Sequence, residues 1–93
     1  MIPSFGCEET VKIFSRQRSR NLPQEIQQVA LRKLRMLNQA VRLGDLRVPP
    51  ANRLEKMRGN RAGQYSIRIN EQWRICFEWR KGDAYNVVIV DYH

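Results

Sequence analysis

The chain has 93 residues, 42% of them hydrophobic and 28% charged, a balance that fits one small folded domain and excludes both a disordered chain and a second core. Lysine and arginine total 17 against 9 aspartates and glutamates, a net charge of +8 at pH 7, so the expected partner is polyanionic. A merely solubilising surface would show the same sum, but the bias towards arginine favours nucleic acid, because guanidinium forks match phosphates and stack on bases.

The opening "MIPSFGCEETVKIF" has no basic leader and carries glutamates where a signal peptide needs an apolar run. No window reaches transmembrane length. Cys7 and Cys76 make no disulfide framework, and with His93 the only histidine no zinc site is expected. The chain therefore reads as a single cytoplasmic domain over residues 1–93, with no metal, cofactor or membrane partner and with both thiols reduced.

In chain order, "IPSF" (2–5) is a possible edge strand. "CEETVKIFSRQRS" (7–19) runs from acidic to basic, the polarity that suits a helix dipole, with Val11 and Phe14 facing inward and Ile13 near the boundary. "NLPQEIQQVALRKLRMLNQAVRLG" (21–44) is the strongest helix: Pro23 fits its first turn, Asn21 is a nearby cap, and Gly44 is placed to end it. Its inward stripe is Ile26, Val29, Ala30, Leu34, Leu37 and Val41, which leaves Arg32, Lys33, Arg35 and Arg42 outside. "DLRVPPAN" (45–52) is a connector, because its double proline suits neither helix nor central strand.

From there the hydrophobic period changes to two. "RLEKMR" (53–58) is a candidate strand leading into a "GNRAG" turn. "QYSIRI" (64–69), "WRICFEW" (73–79) and "AYNVVIVDY" (84–92) are strands, joined by turns at "NEQ" and "RKGD". Helices first and antiparallel strands second define an α+β class, with two N-terminal helices on one face of a mostly antiparallel twisted sheet.

Alternation assigns Tyr65, Ile67, Ile69, Trp73, Ile75, Phe77 and Trp79 to the helix-covered face. Ser66, Arg68, Arg74, Cys76 and Glu78 fall on the other. A turn centred on Glu71 makes Arg68 and Arg74 cross-strand neighbours, and like charges so placed cost stability unless an anion sits between them or both reach water. On the last strand Asp91 and His93 share a face, roughly 6.5–7 Å apart, and Tyr92 points the other way with Val88 and Val90. A carboxylate beside an imidazole is a usable acid–base pair, although polar residues are also ordinary at a chain end. Lys56, Arg58 and Arg61 surround the "GNRAG" turn, where backbone amides and cations suit phosphate, as they also suit a solvated loop.

"RLEKMRGNRAGQYSIRINEQWRICFEW…VVIVDYH" resembles the HigB branch of the RelE/ParE toxin superfamily, over essentially the whole chain and most specifically over residues 53–93. The resemblance implies a RelE-like fold and a ribosome-dependent, metal-independent endonuclease of messenger RNA. In that chemistry the 2′-OH attacks the adjacent phosphate and leaves a cyclic phosphate. It also implies a helix-turn-helix antitoxin as partner, and a toxin–antitoxin complex that binds operator DNA. By position, Asp91, Tyr92 and His93 match the terminal catalytic stretch, Arg74 the arginine at the scissile phosphate, and Arg58 a basic position of relatives. Where some relatives have a histidine, this chain has Glu55, so the base is either Glu55 or the Asp91–His93 pair. Arg68, Lys56 and Arg61 complete the expected phosphate-binding set. The alternative within the superfamily is a ParE-like toxin that inhibits DNA gyrase by binding alone.

Overall fold

The computed structural model describes residues 1–92; His93, on which one expected catalytic role falls, lies outside the described residues. The first helix, α1 (Glu8–Phe14), has Glu8 and Glu9 in its first turn and Lys12 in its last. It is shorter than its charge pattern suggests. Arg16 takes a left-handed backbone (φ 63°), and Ser19 is buried, donating its hydroxyl to Glu9 Oε1 at 2.5 Å. Gln27 Nε2 then binds the Ser19 carbonyl at 2.7 Å, so "RQRS" folds back onto the second helix instead of prolonging the first. The buried residues of α1 are Thr10 and Ile13, while Val11, expected inside, is exposed. Thr10 is fully buried because its Oγ1 accepts the backbone N–H of Ile89 at 3.0 Å, tying α1 to the last strand.

The second helix, α2 (Gln24–Gln39), buries Ile26, Ala30, Lys33, Leu34 and Leu37. Three sequence expectations need correction here. The helix stops at Gln39, five residues before Gly44, because the Asp45 carboxylate accepts the backbone N–H groups of Val41 (3.0 Å) and Arg42 (2.9 Å) and starts a 3-10 turn at Leu43–Arg47. Those two bonds hold the Asp45 carboxyl below its ordinary range. Val41 accordingly lies beyond the apolar stripe and is exposed. Lys33, expected on the basic outer face, is buried and donates to Asn52 Oδ1. Asn52 closes a second 3-10 turn, Pro50–Asn52.

Four strands follow, β1 (Glu55–Lys56), β2 (Tyr65–Arg68), β3 (Trp73–Arg80) and β4 (Asp83–Asp91), in the spatial order of the chain and antiparallel throughout. The amino-terminal segment lies along the outer edge of β4, with Phe5 bridged parallel to Val87 and Gly6 N bonded to the Val87 carbonyl at 2.8 Å. The β2–β3 turn is closed by Asn70, whose Oδ1 accepts the N–H groups of Gln72 and Trp73, both at 2.8 Å. The β3–β4 turn places Lys81 (φ 50°) and Gly82 (φ 83°) in succession at positive φ, the pattern of a type I′ hairpin turn.

β4 carries a bulge that decides which face its end presents. The register runs Glu78 to Tyr85 and Cys76 to Val88, so β4 spends one extra residue there, with Asn86 at φ 53°. Ala84 and Val87 are thereby both buried, Ile89 and Asp91 follow Val87, and Val88, Val90 and Tyr92 turn to the opposite face. The helix-covered face packs Ile67, Ile75, Phe77, Val87 and Ile89 against Ile13, Ile26, Ala30, Leu34 and Leu37 in one core. Among the described residues no helix is long and apolar enough to cross a membrane.

Candidate active site

On the face turned away from the helices, Arg68 and Arg74 are direct cross-strand partners, as the hairpin spacing requires. Their repulsion is relieved because each finds its own carboxylate. Arg68 reaches the exposed Glu71 of the turn (Nη2–Oε1 3.9 Å). Arg74 runs the other way, towards β1, where its Nη1 meets Glu55 Oε1 at 3.1 Å. The next row of the sheet is Glu55, Ser66 and Cys76, so the short Ser66 side chain lies between the Arg74 strand and Glu55.

Arg74 is 95% buried, its relative exposure being 5%. Its Nη2 donates to the Arg53 carbonyl at 2.7 Å, and its guanidinium carbon lies 5.3 Å from the centre of the Tyr92 ring. A cation over an aromatic face is attracted by the ring quadrupole. Arg74 Nε and Ser66 Oγ are buried without a hydrogen-bond partner among the described residues. A strand arginine that simply reached for water would be exposed, so burial argues that this one is held for a purpose.

Around this group opens a pocket lined by Arg53, Glu55, Arg68, Asn70, Glu71, Arg74 and Tyr92. A second recess, lined by Glu55, Lys56, Met57, Arg58 and Tyr92, shares two walls with it. Glu55 and Tyr92 thus stand between two basic hollows. The backbone N–H of Tyr92 binds the Gln72 carbonyl at 2.5 Å, and Gln72 Nε2 binds Asp91 Oδ2 at 3.1 Å, so one turn residue secures the end of β4.

The structure therefore brings Arg74, Arg68, Glu55 and Tyr92 together and places Lys56 and Arg58 beside them. Two expected residues stand apart. Asp91 is registered with Trp73, which packs against the core, so it belongs to the helix side of the sheet and does not line the Arg74 pocket. Arg61 lines neither hollow; its Nη1 reaches Gln64 Oε1 at 3.3 Å, and it acts on Cys76 through charge. Burial pushes the Cys76 thiol above its ordinary pKa, against the opposing charges of Arg61 and Arg74, so it is a protonated core residue and no nucleophile. Among the described residues no three His, Cys, Asp or Glu side chains are grouped to hold a metal ion.

Sequence reasoning did not find Arg53, whose carbonyl binds Arg74, or the roles of Asn70 and Gln72 in the turn. The signal for Asn70 was available, because Asn is a residue whose side chain caps turns. The left-handed backbone of Arg53 (φ 45°) has none in the sequence. Chemically, the site offers buried and half-buried guanidinium groups, an aromatic face and two carboxylates, Glu55 and Glu71, around an open hollow. Cations beside an aromatic face suit an anionic group carried next to a planar, stackable one.

The sequence matches the family model described as the RelE-like toxin of type II toxin–antitoxin system HigB, over residues 5–93. It is 43% identical over 72 residues to Toxin HigB-1 of Vibrio cholerae serotype O1, covering 77% of this chain and 76% of that protein. It is 31% identical over 94 residues to Endoribonuclease HigB of Proteus vulgaris, with both chains covered in full. Its fold is similar to a chain of the YoeB–YefM complex from Staphylococcus aureus, at a TM-score of 0.61 and 18% identity, covering 100% of this chain and 95% of that one.

Proposed function

Because the chain belongs to the HigB group of RelE-like toxins from type II toxin–antitoxin systems, we propose that it is an endoribonuclease that cuts messenger RNA on the ribosome. On this reading a helix-turn-helix antitoxin neutralises it, and the pair binds its own operator DNA. The observation that supports the reading best is the single hollow shared by Arg74, Arg68, Glu55 and Tyr92.

The reaction follows from those groups. The scissile phosphate sits at Arg74, with Arg68 as the second cation. The Tyr92 ring stacks on a base beside it. Glu55 takes the proton of the 2′-OH, O2′ forms its bond to phosphorus, and the P–O5′ bond breaks with its electron pair on O5′. The products are a 2′,3′-cyclic phosphate and, once O5′ is protonated, a free 5′-OH. Glu55 is the better placed base because it lines the Arg74 hollow, whereas Asp91 lies on the other face. Asp91 acts by holding the strand end through Gln72. The resemblance alone assigns the proton for O5′ to His93. Lys56 and Arg58 take flanking phosphates, and Arg61 adds charge.

No metal ion is required, since guanidinium groups supply the stabilisation of the developing charge. The ribosome's part is to hold the messenger strand in register, which replaces a bimolecular search by proximity. Expressing the chain in cells and sequencing messenger ends tests this. Cuts inside translated frames that vanish when initiation is blocked support it. Intact messengers with arrested DNA replication would point to a gyrase-binding toxin instead.

A further inference from the structure

Lys33 occupies a position on the apolar stripe of α2, between Ala30 and Leu37, where leucine or methionine would pack without cost. It is 6% exposed, and among the described residues it makes no ion pair with a carboxylate. Burial holds its pKa below the ordinary lysine range. Its Nζ donates to Asn52 Oδ1.

Asn52 is itself fully buried. Its Nδ2 donates to the Leu46 carbonyl at 3.1 Å and lies 3.0 Å from Met36 Sδ, so the side chain is held from several sides. The next residue, Arg53, is in the left-handed region (φ 45°, ψ 58°) and donates its N–H to the Pro50 carbonyl at 3.0 Å. A non-glycine residue stays in that region only where its surroundings impose it. The result is that the Arg53 carbonyl faces Arg74 Nη2 at 2.7 Å, and Glu55, two residues on, meets Nη1 at 3.1 Å. Among the described residues Nε has no hydrogen-bond partner, and these two polar contacts orient the guanidinium.

We propose that Lys33 is a positioning residue for Arg74: by holding Asn52 it sets the left-handed Arg53 turn, and through the Arg53 carbonyl and Glu55 it fixes where the guanidinium meets the scissile phosphate. The proposal rests on the reading of Arg74 as the phosphate-binding residue. It links the buried face of a helix to a site on the far side of the sheet.

The test is messenger cleavage on ribosomes by Lys33→Met, Arg74→Lys and the double variant, with unfolding measured for each. Lys33→Met is expected to stay folded with an unfolding midpoint close to wild type, because the gain from replacing a buried ammonium by an apolar chain is offset by the loss of the donor to the buried Asn52 Oδ1. Its kcat is expected to fall at least tenfold with KM within twofold of wild type. On the Arg74→Lys background the same change is expected to cost less than twofold, since there is no fork left to position. Lys33→Gln, whose amide is one atom shorter but keeps a donor, is expected to recover part of the rate. Independent, multiplying losses would overturn the proposal, as would a Lys33→Met chain that cleaves normally or does not fold. If Arg74→Lys itself cleaves like wild type, the reading of Arg74 fails first and the proposal falls with it.

Discussion

Replacing Glu55 by glutamine separates catalysis from stability, because the proposed mechanism and the ion pair with Arg74 predict effects of different sizes. The substitution keeps the shape and one acceptor oxygen but removes the charge 3.1 Å from Arg74 Nη1. The gross attraction of such a pair is about 5 kcal/mol at an effective dielectric near 20. Glu55 is half exposed, however, with 48% of its side chain reaching solvent, so most of that is recovered as hydration in the unfolded chain. The net loss expected is about 0.5–1 kcal/mol, or roughly 2–8 °C in the unfolding midpoint for a domain this small. On the proposed mechanism Glu55 is the base for the 2′-OH and is worth far more there: loss of a general base costs about 10²–10⁴ in rate. Removing a negative charge from the hollow leaves RNA binding unchanged or tighter. The assay is single-turnover cleavage of a messenger programmed on ribosomes, with denaturant unfolding in parallel. A Glu55→Gln chain that unfolds slightly early and cleaves within about threefold of wild type would remove Glu55 from proton transfer, since lost stability of about 1 kcal/mol leaves almost all of the protein folded.

Arg74→Lys keeps one charge but forfeits the fork and one charge-assisted hydrogen bond, so it is expected to lose about 1.5–3 kcal/mol of stability and at least tenfold in cleavage; normal cleavage with lowered stability would make Arg74 purely structural. Glu9 and Asp45 both have carboxyls held below their ordinary values, the first chiefly by the Ser19 hydroxyl, the second by backbone N–H groups. Their stabilising contribution is therefore complete above those values and is lost as pH falls through the lower folded ones, so Ser19→Ala and Asp45→Asn should each flatten the acid limb of a stability–pH curve. An unchanged limb in both would refute the assignment. On the proposed reading, raising salt should release the chain from ribosomes, because contacts with phosphate release counterions; co-sedimentation across one salt series decides this.

How much of this could be read from the residues depended on whether a local rule was left undisturbed. Alternation in "YSIRI" and "WRICFEW" placed Arg68 opposite Arg74 and every apolar residue of the hairpin on the helix side, because a short turn leaves one register available. Tyr92 also falls on the expected face, since the bulge lies upstream, at Asn86, and alternation resumes after it. The errors lie where a side chain far along the chain overrides local preference. Gly44 looked like the end of α2, but the Asp45 carboxylate captured the backbone N–H groups four residues early. Lys33 looked like one of a row of solvated cations, and only the distant Asn52 explains its burial. The pocket was half legible: spacing set Arg68 opposite Arg74, and the family resemblance singled out Arg74, Glu55 and Tyr92, yet nothing in "PPANRL" announces that the Arg53 carbonyl would bind the arginine. Asp91, expected to handle protons with His93, lies on the opposite face of the sheet from Arg74, a relation that alternation within its own strand does not give.

The central claim is that the 2′-OH of the messenger is the nucleophile in a hollow built around Arg74. The most direct measurement replaces that hydroxyl by hydrogen at a mapped cleavage site and follows cutting of the ribosome-bound messenger by the purified chain. A single 2′-deoxy substitution should abolish cutting at that bond while leaving binding and neighbouring sites intact, and the unsubstituted product should carry a 2′,3′-cyclic phosphate. Cutting of the deoxy-substituted bond at the normal rate, or a 5′-phosphate on the downstream fragment, would show that water or another group attacks the phosphorus and would contradict the mechanism.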